Sequence, residues 1–344
     1  MKRDVNIYTI AQEAKVSPAT VSRVLSGGAN VSEEKTRVIR DIMQKYDYRP
    51  NALARGLTKS KTETIGIIVA DCENPYYARM ISTCENECDR RGYLALIADT
   101  RTKFELEPLY LRRMIDMRVD AVILLGGLTD SREISAEYLD LVGTVATKIP
   151  VVSTGRLDGV NAFRVSLNEI KAAEVVLSHL LGLGHRKIAF IGGNIGQRST
   201  YDKRVRYRTM LRENGINYRD DYVINSTYDI DGGYEAVNAL LGRLKPYDYP
   251  TAIIAINDFS AVGAMSAISE HNLRVPDDIA IVGFDNTYMA KALSITSVDY
   301  DYLMFGEKLV GTAIEAMTED IDAIPPEQLI SVSLKMRKSS IARE

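Results

Sequence analysis

The chemistry that the sequence offers most clearly is hydrogen bonding to a nucleic acid, from a short segment near the start of the chain. Ser17 followed by Pro18 is typical of a helix start, because serine caps the first turn and proline there loses no hydrogen bond. Arg23 can donate two parallel hydrogen bonds to one guanine edge in the major groove. We predict that Pro18, Ala19 and Arg23 face base edges. The hydroxyl side chains predicted to face phosphates or the groove wall are those of Ser17, Thr20 and Ser22.

Three helix-start signals define the elements that would position this segment. Thr9 and Gln12 have the spacing of a capping box, Ser17 caps the next helix, and Ser32 precedes two glutamates that suit a helix N-terminus. The predicted helices run near 9–15, 17–25 and 32–46. Two short helices joined by a tight turn and backed by a third form a helix-turn-helix. The alternative is a three-helix module that has no nucleic-acid role.

Charge is distributed unevenly along the chain. Residues 1–60 carry a net charge of +5, whereas the remaining residues carry −8, which gives a total of −3. A basic segment joined to an acidic body indicates that the basic end meets a polyanion. Residues 49–57 can form about two helical turns, which are too short to be stable alone in water. We predict that this segment orders on DNA, with Leu57 as an apolar wedge in the minor groove.

These motifs resemble the headpiece of the lactose/galactose-repressor (LacI/GalR) family. The matching stretches are 7–11, 16–25, 31–33 and 48–51. The resemblance implies a homodimer whose second helices read the major groove of a palindromic, double-stranded operator and whose hinge helices insert leucines into the minor groove. The DNA contacts that it implies are Ile7, Tyr8, Ser17, Pro18, Ala19, Thr20, Ser22, Arg23, Asn30, Asn51, Ala54 and Leu57. One departure is Lys15, where the family has glycine; if the turn needs a positive φ, lysine costs about 1 kcal/mol.

The rest of the chain has a different sequence pattern, in which short apolar runs alternate with helical patterns. The runs form two sets of four, 65–70, 94–98, 121–125 and 150–152, then 188–191, 223–224, 252–256 and 279–282. Such runs predict parallel sheets covered on both faces. The predicted fold class is an all-α helix-turn-helix headpiece plus an α/β body with two doubly wound parallel-sheet lobes. The predicted domains are a DNA-binding domain at 1–48, a hinge at 49–62 and a two-lobed effector-binding and dimerisation domain at 63–344.

The resemblance extends through this body. The stretches 74–77, 183–189, 257–258, 275–280 and 283–286 are similar to the family's periplasmic-binding-protein-like domain. The resemblance implies a cleft between the lobes that binds a small-molecule effector, usually a sugar or a nucleobase. Asp258 is expected to accept two hydroxyl hydrogen bonds, and a tyrosine ring to cover the apolar face of a sugar. The implied effector-binding residues are Asp71, Tyr76, Tyr77, Gln197, Arg198, Ser199, Lys203, Tyr228 and Asp258.

Several departures from the family pattern concern the effector. Lys203 stands where the family has arginine, and Arg206 replaces a glycine. Glu169 and Tyr300 also differ from the residues common at their positions. Because Arg198, Lys203 and Arg204 lie close together in the sequence, an acidic or phosphorylated sugar is favoured slightly. The alternatives are a purine-like base, or a phosphoprotein docked on the first lobe.

No catalytic residue, metal site or cofactor is predicted. The sequence has no Gly-rich phosphate loop with a lysine, and its three histidines have no evident nucleophile or metal partner. The three cysteines cannot all pair, and Cys84 and Cys88, four residues apart, are expected to pack in the core. No apolar run reaches the ~18 residues needed to span a bilayer, and no signal stretch opens the chain, so we predict a cytoplasmic protein without a membrane partner. A sugar-binding protein of the transport type and an enzyme are the disfavoured alternatives.

Overall fold

The computed structural model describes residues 5–25, 31–48, 61–318 and 321–341. Contacts between residues divide the chain into two compact units, Met1–Glu63 and Thr64–Glu344. Over the described ranges, the first unit consists of three α-helices and the second of two six-stranded sheets with nine α-helices. No helix within those ranges is both long enough and apolar enough to cross a lipid bilayer.

The helices of the first unit are α1 (Ile7–Glu13), α2 (Pro18–Leu25) and α3 (Glu33–Lys45). Helix α1 begins earlier than predicted, because Asn6 is its cap and accepts hydrogen bonds from the backbone amides of Tyr8 and Thr9 at 3.0 and 3.1 Å. Thr9 lies at the third helical position and its hydroxyl accepts from the Asn6 amide. The prediction that Thr9 caps this helix was therefore wrong: the capping box exists, but Asn6 supplies its first member.

The other two helix starts agree with the sequence prediction. The Ser17 hydroxyl accepts a hydrogen bond from the Thr20 amide at 3.2 Å, which confirms the cap of α2. Ser32 occupies the cap position of α3 but makes no side-chain capping bond, and the two glutamates fill the first turn. Lys15, between α1 and α2, has φ +51°, so the turn does require the left-handed conformation. The buried side chains that join the three helices are Ile10, Ala11, Val21, Ile39 and Ile42.

The second unit alternates strands with helices. Its strands are β1 (Thr64–Val69), β2 (Leu94–Asp99), β3 (Ala121–Leu125), β4 (Val151–Ser153), β5 (Phe163–Leu167), β6 (Ile188–Ile191), β7 (Val223–Ile224), β8 (Ala252–Ala255), β9 (Ala280–Phe284), β10 (Thr296–Tyr300), β11 (Glu327–Ile330) and β12 (Val332–Lys335). Its helices are α4 (Pro75–Arg90), α5 (Leu106–Asp116), α6 (Ala136–Ala146), α7 (Glu169–Gly182), α8 (Arg198–Glu213), α9 (Ile230–Arg243), α10 (Asp258–Glu270), α11 (Tyr288–Ala292) and α12 (Tyr302–Thr318).

Each sheet forms the centre of one lobe. The first lobe has the strand order β11-β5-β4-β3-β1-β2, with every pair parallel. The second lobe has the order β12-β10-β9-β8-β6-β7, in which β12 alone among the described strands runs antiparallel to its neighbour. In both sheets the central strands are apolar and fully buried, as expected for sheets covered by helices. The predicted fold class is confirmed.

Four strands escaped the sequence prediction, namely β5, β10, β11 and β12. They are less uniformly apolar than the eight that were predicted, and β12 alternates half-buried and exposed residues. The same strands stand next to the points where the chain passes from one lobe to the other. The chain enters the second lobe after β5, returns to the first lobe after β10, and enters the second lobe again between β11 and β12. The lobes are thus connected by three crossings.

Candidate functional site

Helix α2 contributes an exposed face to the first unit. Val21 is fully buried and anchors this helix to the core. Pro18, Ala19 and Arg23 are exposed, and Ala19 and Arg23 share one helix face because they are four residues apart. All three side chains that were predicted to face base edges are therefore exposed, and two of them share one face.

The hydroxyl groups near α2 serve the helix itself. The side chains of Ser17 and Thr20 are 2.9 Å apart and hydrogen-bond to each other, while Ser22 is half-buried. In α1, Tyr8 is 70% exposed and Ile7 is half-buried. The remaining predicted DNA contacts, Asn30, Asn51, Ala54 and Leu57, lie outside the described residues.

The two lobes are joined by a carboxylate. Asp130 ends a 3₁₀ turn that follows β3 in the first lobe, and it accepts hydrogen bonds from the amide and the hydroxyl of Ser199 in the second lobe, at 3.0 and 2.6 Å. Burial raises the pKa of Asp130 to about 6, against the lowering effect of these hydrogen bonds. Ser199, a predicted effector residue, is thus occupied by a partner across the cleft.

Further contacts extend this junction. The Arg132 amide donates to the Gly196 carbonyl at 2.9 Å, and the Arg132 guanidinium lies 3.9 Å from the centre of the Tyr201 ring. Ser131 and Gln197 form an isolated β-bridge. Gln197, also predicted in the cleft, is therefore part of the contact between lobes.

A buried ion pair occupies the cleft beside this junction. Lys203 of α8 is 5% exposed and pairs with Glu169, the first residue of α7. Burial alone lowers the pKa of Lys203, but the attraction and hydrogen bond of Glu169 raise it above its ordinary value. The Lys203 ammonium also lies 5.1 Å from the centre of the Phe284 ring. Both partners are departures from the family pattern, and their opposite charges neutralise each other.

Four tyrosines from both lobes form an aromatic cluster. Tyr76 lies within 6.1 Å, between ring centres, of Tyr77, Tyr300 and Tyr302, and each pair meets edge to face. Tyr76 and Tyr77 open helix α4, whereas Tyr300 and Tyr302 flank the second crossing between lobes. The sequence predicted the first two residues and noted Tyr300 only as a departure.

The other predicted effector residues have different surroundings. Burial of the Tyr77 hydroxyl raises its pKa well above the ordinary value, and the charges of nearby acids such as Asp130 and Asp71 add to this shift. The Tyr228 hydroxyl bonds to the Thr200 hydroxyl at 2.8 Å and accepts from the Asn194 amide. Arg198, the first residue of α8, interacts with Asp202 on the same helix.

Asp258 requires a correction. Its side chain is fully buried, and its two carboxylate oxygens accept hydrogen bonds from the Ser297 hydroxyl at 2.6 Å and from the amide and hydroxyl of Thr287 at 2.7 and 2.9 Å. Burial raises its pKa to about 6 despite these bonds. Asp258 therefore organises the loop after β9, and its oxygens are not open to two ligand hydroxyls as predicted.

A second buried aspartate, Asp285, directly follows β9. Asp285 is 8% exposed and adopts φ +94°. It interacts electrostatically with Lys203, Glu169 and Asp258, and burial, followed by the charge of Asp258, raises its pKa well above the ordinary value. The sequence offered one signal for Asp285 as a candidate ligand residue, namely its position directly after an apolar strand. Ligands bind at the carboxyl ends of strands in open α/β sheets.

The argument for an acidic effector also changes. Arg204 is buried and donates to the Gly192 carbonyl at 2.7 Å, to the Ile224 carbonyl at 3.3 Å and to the Asn225 side chain. Since Lys203 is neutralised by Glu169, two of the three cations that suggested an anionic sugar are engaged within the protein. Among the described residues, no three His, Cys, Asp or Glu side chains are grouped to hold a metal ion.

Two protein-family models match this chain. A model described as "Bacterial regulatory proteins, lacI family" matches residues 6–51, and one described as "Periplasmic binding protein-like domain" matches residues 177–340. Catabolite control protein A of Priestia megaterium is 32% identical, over 86% of this chain and 87% of that protein. The HTH-type transcriptional repressor PurR of Pasteurella multocida (strain Pm70) is 28% identical, over 96% of this chain and 99% of that protein.

The fold has a close counterpart among solved structures. The Lac repressor dimer bound to operator and the anti-inducer ONPF superposes with a TM-score of 0.86, at 23% identity, over 98% of this chain and 99% of that chain. The helix-turn-helix unit, the two lobes and the matched relatives all indicate the same family. The chain therefore belongs to the LacI family of bacterial regulatory proteins, and it is a DNA-binding transcriptional regulator rather than an enzyme.

Proposed function

We propose that the chain is a repressor that binds a palindromic operator as a homodimer and responds to a small molecule held between its lobes. The observation that carries the DNA-binding part is the exposed face of α2, where Ala19 and Arg23 lie together opposite the buried Val21. A two-fold dimer places two such helices on successive major grooves, and a palindrome matches that symmetry. A regulator of this kind acts in the cytoplasm, where its operator is.

The cleft supports a sugar or a sugar derivative as the effector. Tyrosine rings cover the apolar face of a sugar, and buried polar groups such as Asp285 and Tyr228 fix its orientation. Because the Asp130–Ser199 contact joins the lobes beside this site, a ligand that favours one lobe arrangement shifts the whole body. By linkage, effector and operator then change each other's affinity by the same factor, typically about 5- to 150-fold.

The alternative effector is a purine-like base. A flat base can stack against Tyr76 or Tyr77, which makes the aromatic cluster compatible with this reading as well. A phosphoprotein docked on the first lobe is a further alternative. Whether the effector releases or recruits the protein is decided by which lobe arrangement it stabilises.

The experiment that tests the function begins with DNA selection. Purified full-length protein is mixed with a random duplex library at moderate salt, and the retained fragments are sequenced. The selected operator is then titrated in the presence of sugars, sugar phosphates and purines, one at a time. We expect a palindromic consensus whose affinity changes at least about fivefold with one class of ligand. Retention without any sequence preference would contradict the proposal.

A further inference from the structure

The loop after β9, in the second lobe, presents two successive backbone carbonyls to the first lobe. The Asp285 carbonyl accepts a hydrogen bond at 3.0 Å from the hydroxyl of Tyr302, the first residue of α12. The Asn286 carbonyl accepts from the guanidinium of Arg79 on α4 at 3.4 Å. That guanidinium also lies 4.1 Å from the centre of the Tyr302 ring. Because α4 and α12 pack together in the first lobe, these bonds form a second contact between the lobes, separate from the one at Asp130.

The backbone of this loop adopts a conformation that its surroundings must stabilise. Asp285 has φ +94° and Asn286 has φ +45°, so two successive residues other than glycine are in the left-handed region. Such conformations cost free energy and persist where neighbouring groups hold them in place. The position of the two carbonyls therefore depends on the hydrogen bonds that hold the loop.

Asn286 forms a hydrogen bond with each of its backbone and side-chain polar groups. It is 4% exposed, and its amide donates to the Ser297 hydroxyl at 2.9 Å. Its side-chain nitrogen donates to the Asp299 carboxylate at 2.9 Å, and its side-chain oxygen accepts from the Arg337 guanidinium. Asp299 lies on β10, whereas Arg337 follows β12. The side chain of Asn286 thus connects the loop to chain segments beside the second and third crossings between the lobes.

Arg337 is itself fixed to the second lobe. Its amide donates to the Thr296 hydroxyl at 2.8 Å, and its carbonyl accepts from the same hydroxyl at 2.9 Å. Its guanidinium also donates to the Ile295 carbonyl at 2.6 Å. A side-chain amide held between a guanidinium and a carboxylate has one orientation, because its oxygen must face the donor and its nitrogen the acceptor. The orientation of the Asn286 side chain is therefore determined.

We propose that Asn286 is a positioning residue for the arrangement of the lobes. Its side chain, held by Arg337 and Asp299, places the backbone carbonyl that Arg79 of the first lobe contacts. The loop lies at the carboxyl end of β9, where ligands bind in open α/β sheets, so a ligand that displaces the loop breaks this contact. The consequence for operator affinity rests on the proposed function, whereas the role of Asn286 between the lobes does not.

Hydrogen–deuterium exchange at the Arg132 amide measures this role in the full-length protein. That amide belongs to the first lobe and donates to the Gly196 carbonyl of the second, so its exchange becomes faster when the lobes separate. Asn286→Gly keeps the backbone carbonyl and permits the positive φ, but removes both side-chain bonds. We expect exchange at the Arg132 amide to be at least about tenfold faster, because both lost bonds involve charged partners. A role confined to the second lobe would leave this amide unchanged.

The matched control is Asn272→Gly. Asn272 is an exposed asparagine of the second lobe with φ +58°, so the substitution makes the same chemical change in a similar backbone conformation. It should leave exchange at the Arg132 amide as in the parent. Exchange at this amide that is unchanged by Asn286→Gly, or accelerated equally by Asn272→Gly, overturns the proposal.

A double variant tests whether Asn286 acts through Arg79. Arg79→Met keeps an unbranched side chain and removes the guanidinium, so by itself it should accelerate exchange at the Arg132 amide. Added to Asn286→Gly it should accelerate exchange little further, since both changes break the same contact. Arg90→Met, on the same helix, removes an arginine that pairs with Glu87 and should have no effect at Arg132. Additive effects of the two substitutions, or no effect of Arg79→Met, overturn the proposal even if Asn286→Gly fails to fold.

Operator titration separates this inference from the proposed function. We expect Asn286→Gly and Arg79→Met to change the affinity for the selected operator in the same direction, by at least about fivefold. Unchanged operator affinity together with faster exchange at the Arg132 amide overturns the connection of Asn286 to DNA binding and leaves the repressor proposal standing. A parent protein without sequence-specific DNA binding contradicts the repressor proposal, while exchange at the Arg132 amide still decides the role of Asn286.

Discussion

Ser199 of the second lobe donates two hydrogen bonds to Asp130 of the first, one from its amide at 3.0 Å and one from its hydroxyl at 2.6 Å. Asp130 ends the 3₁₀ turn after β3, and Ser199 lies in the first turn of α8, where the backbone amides are free to donate outward. The lobes are therefore held by a charged acceptor at a helix N-terminus, a favourable arrangement for a carboxylate.

Ser199→Ala should loosen the junction between the lobes. The variant removes the hydroxyl donor and keeps the amide donor, and a hydrogen bond to a charged group contributes about 1.5–3 kcal/mol. We expect faster hydrogen–deuterium exchange, by about tenfold, at the amides of Ser199 and Arg132, both of which donate across the cleft. Mass spectrometry of the peptides that contain them measures this change.

The matched control is Ser178→Ala, which removes an exposed serine of α7 in the same lobe. It should leave exchange at both amides as in the parent. If Ser199→Ala also left the Arg132 amide protected, the contact between the lobes would not depend on Asp130.

Arg23→Ala should reduce sequence preference more than overall affinity for DNA. A bidentate arginine–guanine contact contributes about 1–3 kcal/mol of discrimination at one base pair. Arg40→Ala removes the same charge from an exposed position of α3. Its loss should weaken binding evenly across sequences and reduce the salt dependence. Titrating the selected operator and single-base variants at several salt concentrations separates the two effects; equal base discrimination in both variants would contradict the assignment of Arg23.

Lys15→Gly should stabilise the first unit. Lys15 holds φ +51° on an exposed turn, a conformation that costs an L-residue about 1 kcal/mol and glycine almost nothing. Part of this gain is offset by the greater freedom of glycine in the unfolded chain. We expect an increase of about 0.5–1 kcal/mol in the free energy of unfolding, measured by chemical denaturation. Lys15→Ala removes the same charge and keeps the strain, so an equal gain in that variant would point to charge instead.

The strands that the sequence predicted are those that form continuous apolar runs. Ala121–Leu125 and Ile188–Ile191 are buried along their whole length, and a continuous apolar run marks both ends. Val332–Lys335 lies at a sheet edge, next to β10, and alternates half-buried and exposed residues. Such partial burial leaves only a weak hydrophobic pattern in the sequence. Strands β5 and β10 lie inside their sheets, and they were missed because polar residues interrupt them, such as Arg164 in β5 and Asp299 in β10.

The site was predicted less completely, because its decisive pairings are distant in sequence. Glu169 neutralises Lys203 from another helix, and no spacing rule connects them. Asp258 and Asp285 both follow apolar strands, so the sequence ranks them alike. Only the fold reveals that Thr287 and Ser297 occupy the carboxylate oxygens of Asp258.

The stability of the protein should depend on pH through Glu107, a buried residue of α5. Its carboxyl group is 2% exposed and accepts hydrogen bonds from the Tyr138 hydroxyl and from the Leu128 amide, the latter at 2.8 Å. Burial raises the pKa of Glu107 to about 7 from its ordinary value of 4.5, although both hydrogen bonds oppose the change. The folded protein therefore binds this proton more tightly than the unfolded chain does. The stabilisation from protonation is complete below pH 4.5 and is lost as the pH rises to about 7.

Glu107→Gln carries no titrating group and should not lose this contribution. Relative to the variant, the parent should lose about 3 kcal/mol of unfolding free energy between pH 4.5 and pH 7.5, since one pKa unit corresponds to about 1.4 kcal/mol. Urea denaturation of both proteins across this range measures the difference, and Glu137→Gln, at an exposed position of the neighbouring helix α6, controls for the loss of a carboxyl group. Glutamine loses one acceptor for Tyr138 or Leu128, which lowers stability at every pH; the prediction therefore concerns the slope alone. Parallel curves for the parent and Glu107→Gln would mean that Glu107 ionises in the folded protein as readily as it does in water.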